Sequence, residues 1–337
     1  MGIVRGKSTA IVMLRRIVCL FLLGIFSLFI VASCSSNINQ NVTNSKQLTE
    51  NCRVVQHAMG ETCIPQNPQR VVTLWGGTFS SALALGIKPI ASAWIPGEPF
   101  PKHLGDKADG IENIGFEPNL ERLLLLKPDL ILSNTRLQNI YTQLTNIAPT
   151  VALDHPSPPA SWQKTLEDIA KILDKEQESK QLINDYWQRI EQLKQALGVG
   201  VASPKENRRH QLQVSVATVD PRFGAVYTYG KKSPVGVVLD DIGLQRPSTQ
   251  SGDFFTKNNI SYERLSDIDG DVLFLSYAEK TGKKALEKLE QSPLWQKLKV
   301  VQQNRVYLVD YDHWYGFDVL AMNAVIDDLF KYLVNTP

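Results

Sequence analysis

The sequence predicts an α/β protein made of two similar lobes of alternating strand and helix, joined by a long helical stretch. Three observations carry this. Short apolar runs of strand type alternate with helix-like segments, a pattern in the first half returns in the second, and the segment between the halves has its apolar residues at helical spacing.

The first 33 residues read as an address. Arg15 and Arg16 precede the uncharged apolar run Ile17–Val31. At 1.5 Å per residue its length is about 22 Å, short of the roughly 30 Å a membrane span requires. Small residues follow, as at a signal-peptide cleavage site, and Val31-Ala32-Ser33-Cys34 has the form of a bacterial lipobox, with Cys34 as the lipidated residue. Residues 34–51 are polar and poor in apolar side chains, a flexible tether. Removing the signal takes away Arg5, Lys7, Arg15 and Arg16 and no acid. The 36 Lys and Arg become 32 against 34 Asp and Glu, a formal net of −2, and nothing points to nucleic acid. Cys19 leaves with the signal. Cys52 and Cys63 remain as an even pair in an oxidising compartment, either a disulfide around a Gly-bearing hairpin turn or a two-cysteine metal site.

From Cys34 onward 304 residues are enough for two domains. We divide them into an N-terminal lobe at 52–160, a helical region at 161–200 and a C-terminal lobe at 201–337. Val71–Leu74 is a buried-type strand, Gly76-Gly77 a turn, and Phe79–Leu85 a helix closed by Gly86. A strand begins at Pro89, a helix spans Asn119–Leu126, a strand follows at Leu130–Leu132, and a helix spans Ile140–Ile147. Ser161–Leu173 and Gln177–Leu197 form the long helical region, with Leu182, Tyr186, Ile190, Leu193 and Leu197 on one face. Alternation restarts with the strand Leu212–Val219.

The two halves resemble each other. Asn119-Leu120-Glu121-Arg122-Leu123 leads to Asp129 and an apolar strand; Ser261-Tyr262-Glu263-Arg264-Leu265 leads to Asp271 and another, with the same Glu-to-Asp interval. Each half also has a helix that closes on glycine shortly before a proline, at Gly86-Ile87-Lys88-Pro89 and at Gly243-Leu244-Gln245-Arg246-Pro247. Two similar lobes predict a ligand crevice between them, at the carboxyl ends of the strands.

These residues resemble the substrate-binding proteins of ABC importers, in the iron-siderophore and cobalamin class. The resemblance rests on Arg70-Val71-Val72, on Glu117-Pro118-Asn119-Leu120-Glu121 running into Lys127-Pro128-Asp129-Leu130-Ile131-Leu132, and on Ile147-Ala148-Pro149-Thr150-Val151, Pro293-Leu294-Trp295 and Asn304-Arg305-Val306-Tyr307. The opening from Cys52 to Pro65 is similar to cyanobacterial members. The resemblance implies two Rossmann-like lobes bridged by a rigid helix with modest closure. It also implies no catalysis, no resident cofactor or protein-bound metal, and a monomer held at a membrane by its lipid. Its partners would be the permease subunits of an importer, met by Glu121 and Glu263, and its ligand an Fe(III)-siderophore.

For the ligand, the run Thr218–Arg222 and the run His313-Trp314-Tyr315-Gly316 are similar to hydroxamate-siderophore binders. The expected ligand residues are Arg222, Trp314 and Tyr315, with Trp75, Trp94, Tyr227, Phe255 and His313 beside them. Aromatic faces would cover the chelator, and Arg222 would address metal-bound oxygens. One departure is that Trp94–Phe116, where such binders often carry an Arg, holds only Lys102 and Lys107. Haem or cobalamin would suit a similar cleft, with Tyr227, Tyr315 or His313 as a haem ligand. A free-metal binder would need convergent ligands, whereas His57, His103, His155, His210 and His313 are scattered. An enzyme would need a catalytic motif that the sequence lacks. Gly76-Gly77 is too short a signal for a phosphate cradle, and Asp240-Asp241 and Asp327-Asp328 read as helix faces.

Overall fold

The computed structural model describes residues 52–156, 159–199, 211–223 and 226–335. Cys19, Cys34, the leader and the tether lie outside the described residues. The chain divides into a first unit, Met1–Arg53, and a second, Val54–Pro337, which holds both lobes. β1 (Cys52–His57) and β2 (Gly60–Pro65) pair as a hairpin through Ala58-Met59. Gly60 follows that turn at φ 122°, a conformation that a side chain disfavours. Cys52 and Cys63 are both disulfide-bonded.

Lobe one contains β3 (Val71–Thr73), α1 (Gly76–Ala84), β4 (Ala91–Ser92), β5 (Glu112–Asn113), α2 (Leu120–Leu126), β6 (Leu130–Asn134) and β7 (Thr150–Leu153). Its sheet is parallel, in the order β5-β4-β3-β6-β7. Three sequence expectations shift here. Gly76 and Gly77 are the first residues of α1 rather than a turn ahead of it. The strand expected from Pro89 begins at Ala91, since proline has no N–H for the ladder. The helix expected over 140–147 is a 3-10 turn, Thr135–Ile140, and a five-residue helix, Tyr141–Thr145.

Two helices follow, α3 (Trp162–Leu173) and α4 (Glu176–Leu197). The Ser161 side chain caps α3 by accepting from the Lys164 amide at 3.2 Å. Asp174, left-handed at φ 57°, ends it and lets the chain turn into α4. Lobe two contains β8 (Val214–Val219), β9 (Val226–Tyr229), α5 (Pro234–Ile242), β10 (Thr256–Ile260), β11 (Val272–Tyr277), α6 (Glu279–Glu290), β12 (Val306–Leu308) and α7 (Val319–Leu329). Its sheet runs β10-β9-β8-β11-β12, parallel on the β11 side and antiparallel at β8-β9-β10. The antiparallel pairing follows from loop length. Residues 220–225 are too few for the dozen-residue crossover that a parallel partner needs.

Side-chain alternation builds the layers. Val71, Leu130 and Leu132 of lobe one, and Val214, Val216, Val272 and Phe274 of lobe two, enter a single apolar cluster with α3, α4, α5 and α7. The intervening residues turn to the outer faces: Val72 and Ile131 join one outer cluster, and Ala217, Val219, Leu273 and Leu275 another. Both sheets therefore share one central core. Tyr186 on α4 fastens it, with its hydroxyl 2.6 Å from Asp241 Oδ2 on α5 and its ring edge-on to Trp162.

The internal repeat is a repeat in three dimensions. Asp129, ahead of β6, accepts from the Gln69 and Arg70 amides at 2.7 and 2.8 Å, and Asp271, ahead of β11, accepts from the Gln213 amide at 2.9 Å. Each carboxylate locks the start of the central strand beside it. Gly86 and Gly243, both at φ 81°, end α1 and α5 with the same pair of closing hydrogen bonds, which continue to Ile87 and Leu244.

Candidate functional site

Strand order reverses between β3 and β6 in lobe one and between β8 and β11 in lobe two, and loops at such switch points form ligand crevices. Trp75 follows β3, and Asp220 follows β8.

In lobe one the glycine pair seats two indoles. A Cβ on Gly77 would fall 2.5 Å from the Trp75 ring, and one on Gly76 would lie 3.2 Å from Trp94. A side chain at Gly77 would push the Trp75 ring aside and one at Gly76 would crowd Trp94, so the pair is an aromatic seat. Trp94 Nε1 donates to Pro99 O at 2.9 Å, which fixes the ring near Phe100. Trp75 meets His155 edge-on, with centroids 5.1 Å apart. Burial holds the His155 imidazole below its ordinary pKa, and Arg136 adds to the effect, so the ring is neutral at pH 7.

Lobe two carries a wall of rings. Tyr315, half-buried, stacks on Tyr311 at 5.4 Å and meets Phe255 and Phe317 edge-on, while Phe255 and Phe317 are parallel at 5.4 Å. Gly316 makes room for the neighbouring helix, since a Cβ there would lie 2.4 Å from the Ala321 Cβ. Beside the wall, the fully buried Asp220 carboxylate accepts from Arg222 Nε at 2.9 Å, from Nη2 at 2.6 Å and from the Arg222 amide. Burial raises the Asp220 pKa, but the Arg222 bonds outweigh it and hold the carboxyl ionised. The Arg222 side chain, 62% exposed, is thus aimed by a buried counter-ion while its guanidinium still meets solvent.

Five expected ligand residues occupy such surfaces: Arg222, Tyr315, Phe255 and, in lobe one, the Trp75 and Trp94 pair. Three do not. Trp314 is 0% exposed, stacked on Phe274 at 4.6 Å, and its Nε1 donates to Asp328 Oδ2 at 2.8 Å. It is a core residue because its position in the turn Tyr311–Trp314 points it into the shared core. His313 bridges Asp328 Oδ2 at 2.8 Å and Asp310 Oδ1 at 3.5 Å, tying that turn to α7. Tyr227 is buried in lobe two, its hydroxyl 3.4 Å from that of Tyr229, and burial pushes its phenol far above the usual range. Sequence reading missed Asp220, Tyr311 and Phe317. Asp220 lies two residues before Arg222, Tyr311 is one helical turn before Tyr315, and Phe317 is two beyond it, so spacing carried a signal for each. His155 and Phe100 had none, because long-range packing brings them to the indoles.

Burial lowers the His313 pKa, but the two carboxylates more than reverse this and push it up to about 9. A folded-state pKa above the ordinary 6.5 means stability fully present below about pH 6.5 and lost as pH rises through about 9. His313→Gln should therefore cost of order 2–3 kcal/mol at pH 6 and much less at pH 10. Urea unfolding at the two pH values checks this, and an equal loss at both would contradict the ion triad.

Glu121 and Glu263 are exposed at pseudo-equivalent places, one in the first turn of α2 and the other in the 3-10 turn Tyr262–Ile268. Their neighbouring arginines are engaged elsewhere. Arg122 forks onto Glu112, and Arg264 pairs with Asp267. Among the described residues neither glutamate has a cationic partner.

A cavity of about 200 Å³ lies where the α3 and α5 starts meet the aromatic wall, lined by Pro159–Gln163, Lys232, Pro234, Val237 and Phe317.

An aromatic seat at the lobe-one switch point and a wall of rings beside the lobe-two switch-point loop, held by one shared core, define a two-lobed α/β binding protein. Comparison with known proteins agrees. The periplasmic binding protein family matches residues 113–312, and the chain belongs to that family. It is 33% identical to the Bacillus subtilis (strain 168) probable siderophore-binding lipoprotein YfiY, across 94% of this chain and 98% of that protein. It is 31% identical to the Fe(3+)-citrate-binding protein YfmC of the same organism, across 95% and 98%. Among solved structures, Staphylococcus aureus SirA complexed with staphyloferrin B superposes with a TM-score of 0.64 at 27% identity, across 83% of this chain and 98% of that one.

Proposed function

We propose that this protein is a lipid-anchored carrier that captures a ferric siderophore between its lobes and delivers it to an ABC importer. The carrying observation is the exposed side of the lobe-two wall: Tyr315, Phe255 and Phe317 set beside a guanidinium that Asp220 holds in place. Such a surface suits a bulky chelate whose metal is already fully coordinated. Rings cover the carbon framework and the cation meets oxygens that carry partial negative charge. The names of the relatives, which bind siderophores or ferric citrate, support the same class of ligand. Residues 1–33 serve as the export signal, Cys34 takes the lipid, residues 34–51 tether the domain, and Glu121 and Glu263 meet the permease subunits of the importer. The protein acts as a monomer outside the cytoplasm, without catalysis and without a cofactor of its own.

Tryptophan fluorescence of the purified protein, titrated with ferric hydroxamates, ferric citrate, ferric catecholates, haem and cobalamin, tests this reading. A ferric chelate is expected to quench at micromolar concentration or below. Tyr315→Ala should weaken that ligand about tenfold, the order expected for losing one well-placed aromatic face. Quenching by haem or cobalamin alone, or by nothing on the panel, would defeat the proposal.

A further inference from the structure

The tip of the β1-β2 hairpin bonds to β7, the edge strand of the lobe-one sheet, where the Ala58 amide donates to Ala152 O at 3.0 Å. Beside that bond stands His57, half-buried, with both ring nitrogens engaged. Nδ1 lies 3.1 Å from the Met59 amide and 3.5 Å from the Ala152 amide. A backbone N–H only donates, so Nδ1 accepts and carries no proton. Nε2 lies 2.9 Å from Thr62 Oγ1 and 3.4 Å from the Tyr141 hydroxyl. The Thr62 hydroxyl gives its one proton to Thr150 O at 2.9 Å, so it accepts from Nε2, which holds the proton of the imidazole. The bonding pattern thus has a place for one neutral tautomer and none for the imidazolium. The elements around the ring bring little charge. β7 has no titratable side chain, the helix Tyr141–Thr145 has only Tyr141, and β1 carries Arg53. On β2, Glu61 is taken by Gln56 at 2.8 Å and Cys63 is disulfide-bonded. Burial lowers the His57 pKa from the ordinary 6.5, and no charged neighbour among the described residues offsets this.

We propose that His57 is an acid-sensitive clasp: as a neutral imidazole it holds the hairpin tip against β7, and a proton taken up at Nδ1 releases the tip. The added N–H points at two amides that are themselves donors, so both bonds are lost together. A folded-state value below the ordinary one means that the clasp is fully closed above about pH 6.5 and opens as pH falls through the lowered value. The same strand reaches the ligand face, since His155, three residues beyond Ala152, meets Trp75 edge-on. Opening the clasp in acid therefore removes support from the lobe-one rim, whichever ligand the lobes hold.

Nitrogen-15 NMR of the purified protein reads the two ring nitrogens of His57 directly. Nδ1 is expected to be unprotonated at neutral pH, with a titration midpoint below about 6.5. Hydrogen exchange of the Met59 and Ala152 amides, compared as protection factors at about pH 7.5 and about pH 5, reads the clasp itself. Protection in the wild type should fall about five- to tenfold in acid, the order for losing one hydrogen bond. His57→Asn keeps an acceptor oxygen close to the place of Nδ1 but does not titrate, so its protection should agree within about twofold at the two pH values. A proton on Nδ1 at neutral pH, a midpoint at or above about 6.5, unchanged wild-type protection, or an equal loss in the Asn variant would each overturn the clasp. Should the variant fail to fold, the wild-type tautomer and midpoint decide the matter alone.

Discussion

Glu121→Ala together with Glu263→Ala is expected to abolish uptake of the ferric ligand into cells while leaving its affinity for the protein within twofold. The two carboxylates stand exposed at matching points of the two lobes, and the nearest arginines are committed to Glu112 and Asp267. An exposed carboxylate with no cationic partner is available to a partner's guanidinium, which it accepts in a two-bond fork. Each such pair contributes about 1.5–3 kcal/mol, so losing both should weaken the encounter with the permease more than a hundredfold. Single variants should fall between. Uptake of radioactive iron as the chelate chosen by the fluorescence titration provides the measurement, with calorimetry on the same variants. Unchanged uptake would remove the docking role, and loss of ligand affinity would place these residues in the binding surface instead.

Trp314→Ala should destabilise the fold by about 3–5 kcal/mol, the range for emptying a buried indole site in a close-packed core. The ring stacks on Phe274, and its N–H satisfies the same Asp328 oxygen that His313 reaches. Trp314→Phe separates folding from binding. It should cost less than the alanine variant, about 1–3 kcal/mol for the lost hydrogen bond and the smaller ring, and leave ligand affinity within twofold. Urea unfolding and titration of the same sample are the checks. A Phe variant that folds normally but loses its ligand would return Trp314 to the binding surface.

The fold was legible in the sequence because its signals are local. Short continuous apolar runs such as Val71–Leu74 and Leu130–Leu132, the αL glycines at Gly86 and Gly243, and the cap residues Asn119 and Ser161 each act over a few residues. The repeat around Asp129 and Asp271 was legible for a similar reason: each aspartate meets the start of a neighbouring strand, and that geometry preserves its spacing to the helical turn before it. The site was less legible. Motif resemblance named Tyr315, Trp314 and His313 together, because which of three consecutive side chains faces outward depends on a turn whose direction α7 and Asp328 decide. The seat made by Gly76 and Gly77 was read as a turn for the same reason, since the rings that demand glycine there come from Trp75 and from Trp94, two elements apart.

One central core fills the space between both sheets, from Val71 and Leu132 on one side to Val216 and Phe274 on the other. If Glu121 and Glu263 dock as proposed, a carrier built this way would behave as a rigid plug with two fixed pins. The shared core would keep the interval between Glu121 and Glu263 nearly the same whether the socket between them is full or empty. Geometry alone would then let vacant carriers compete for importer sites, and selectivity for loaded ones would come from the cargo itself, exposed at the mating face. Uptake would accordingly slow when the carrier is overproduced beyond its supply of cargo, a queue of empty plugs at every port.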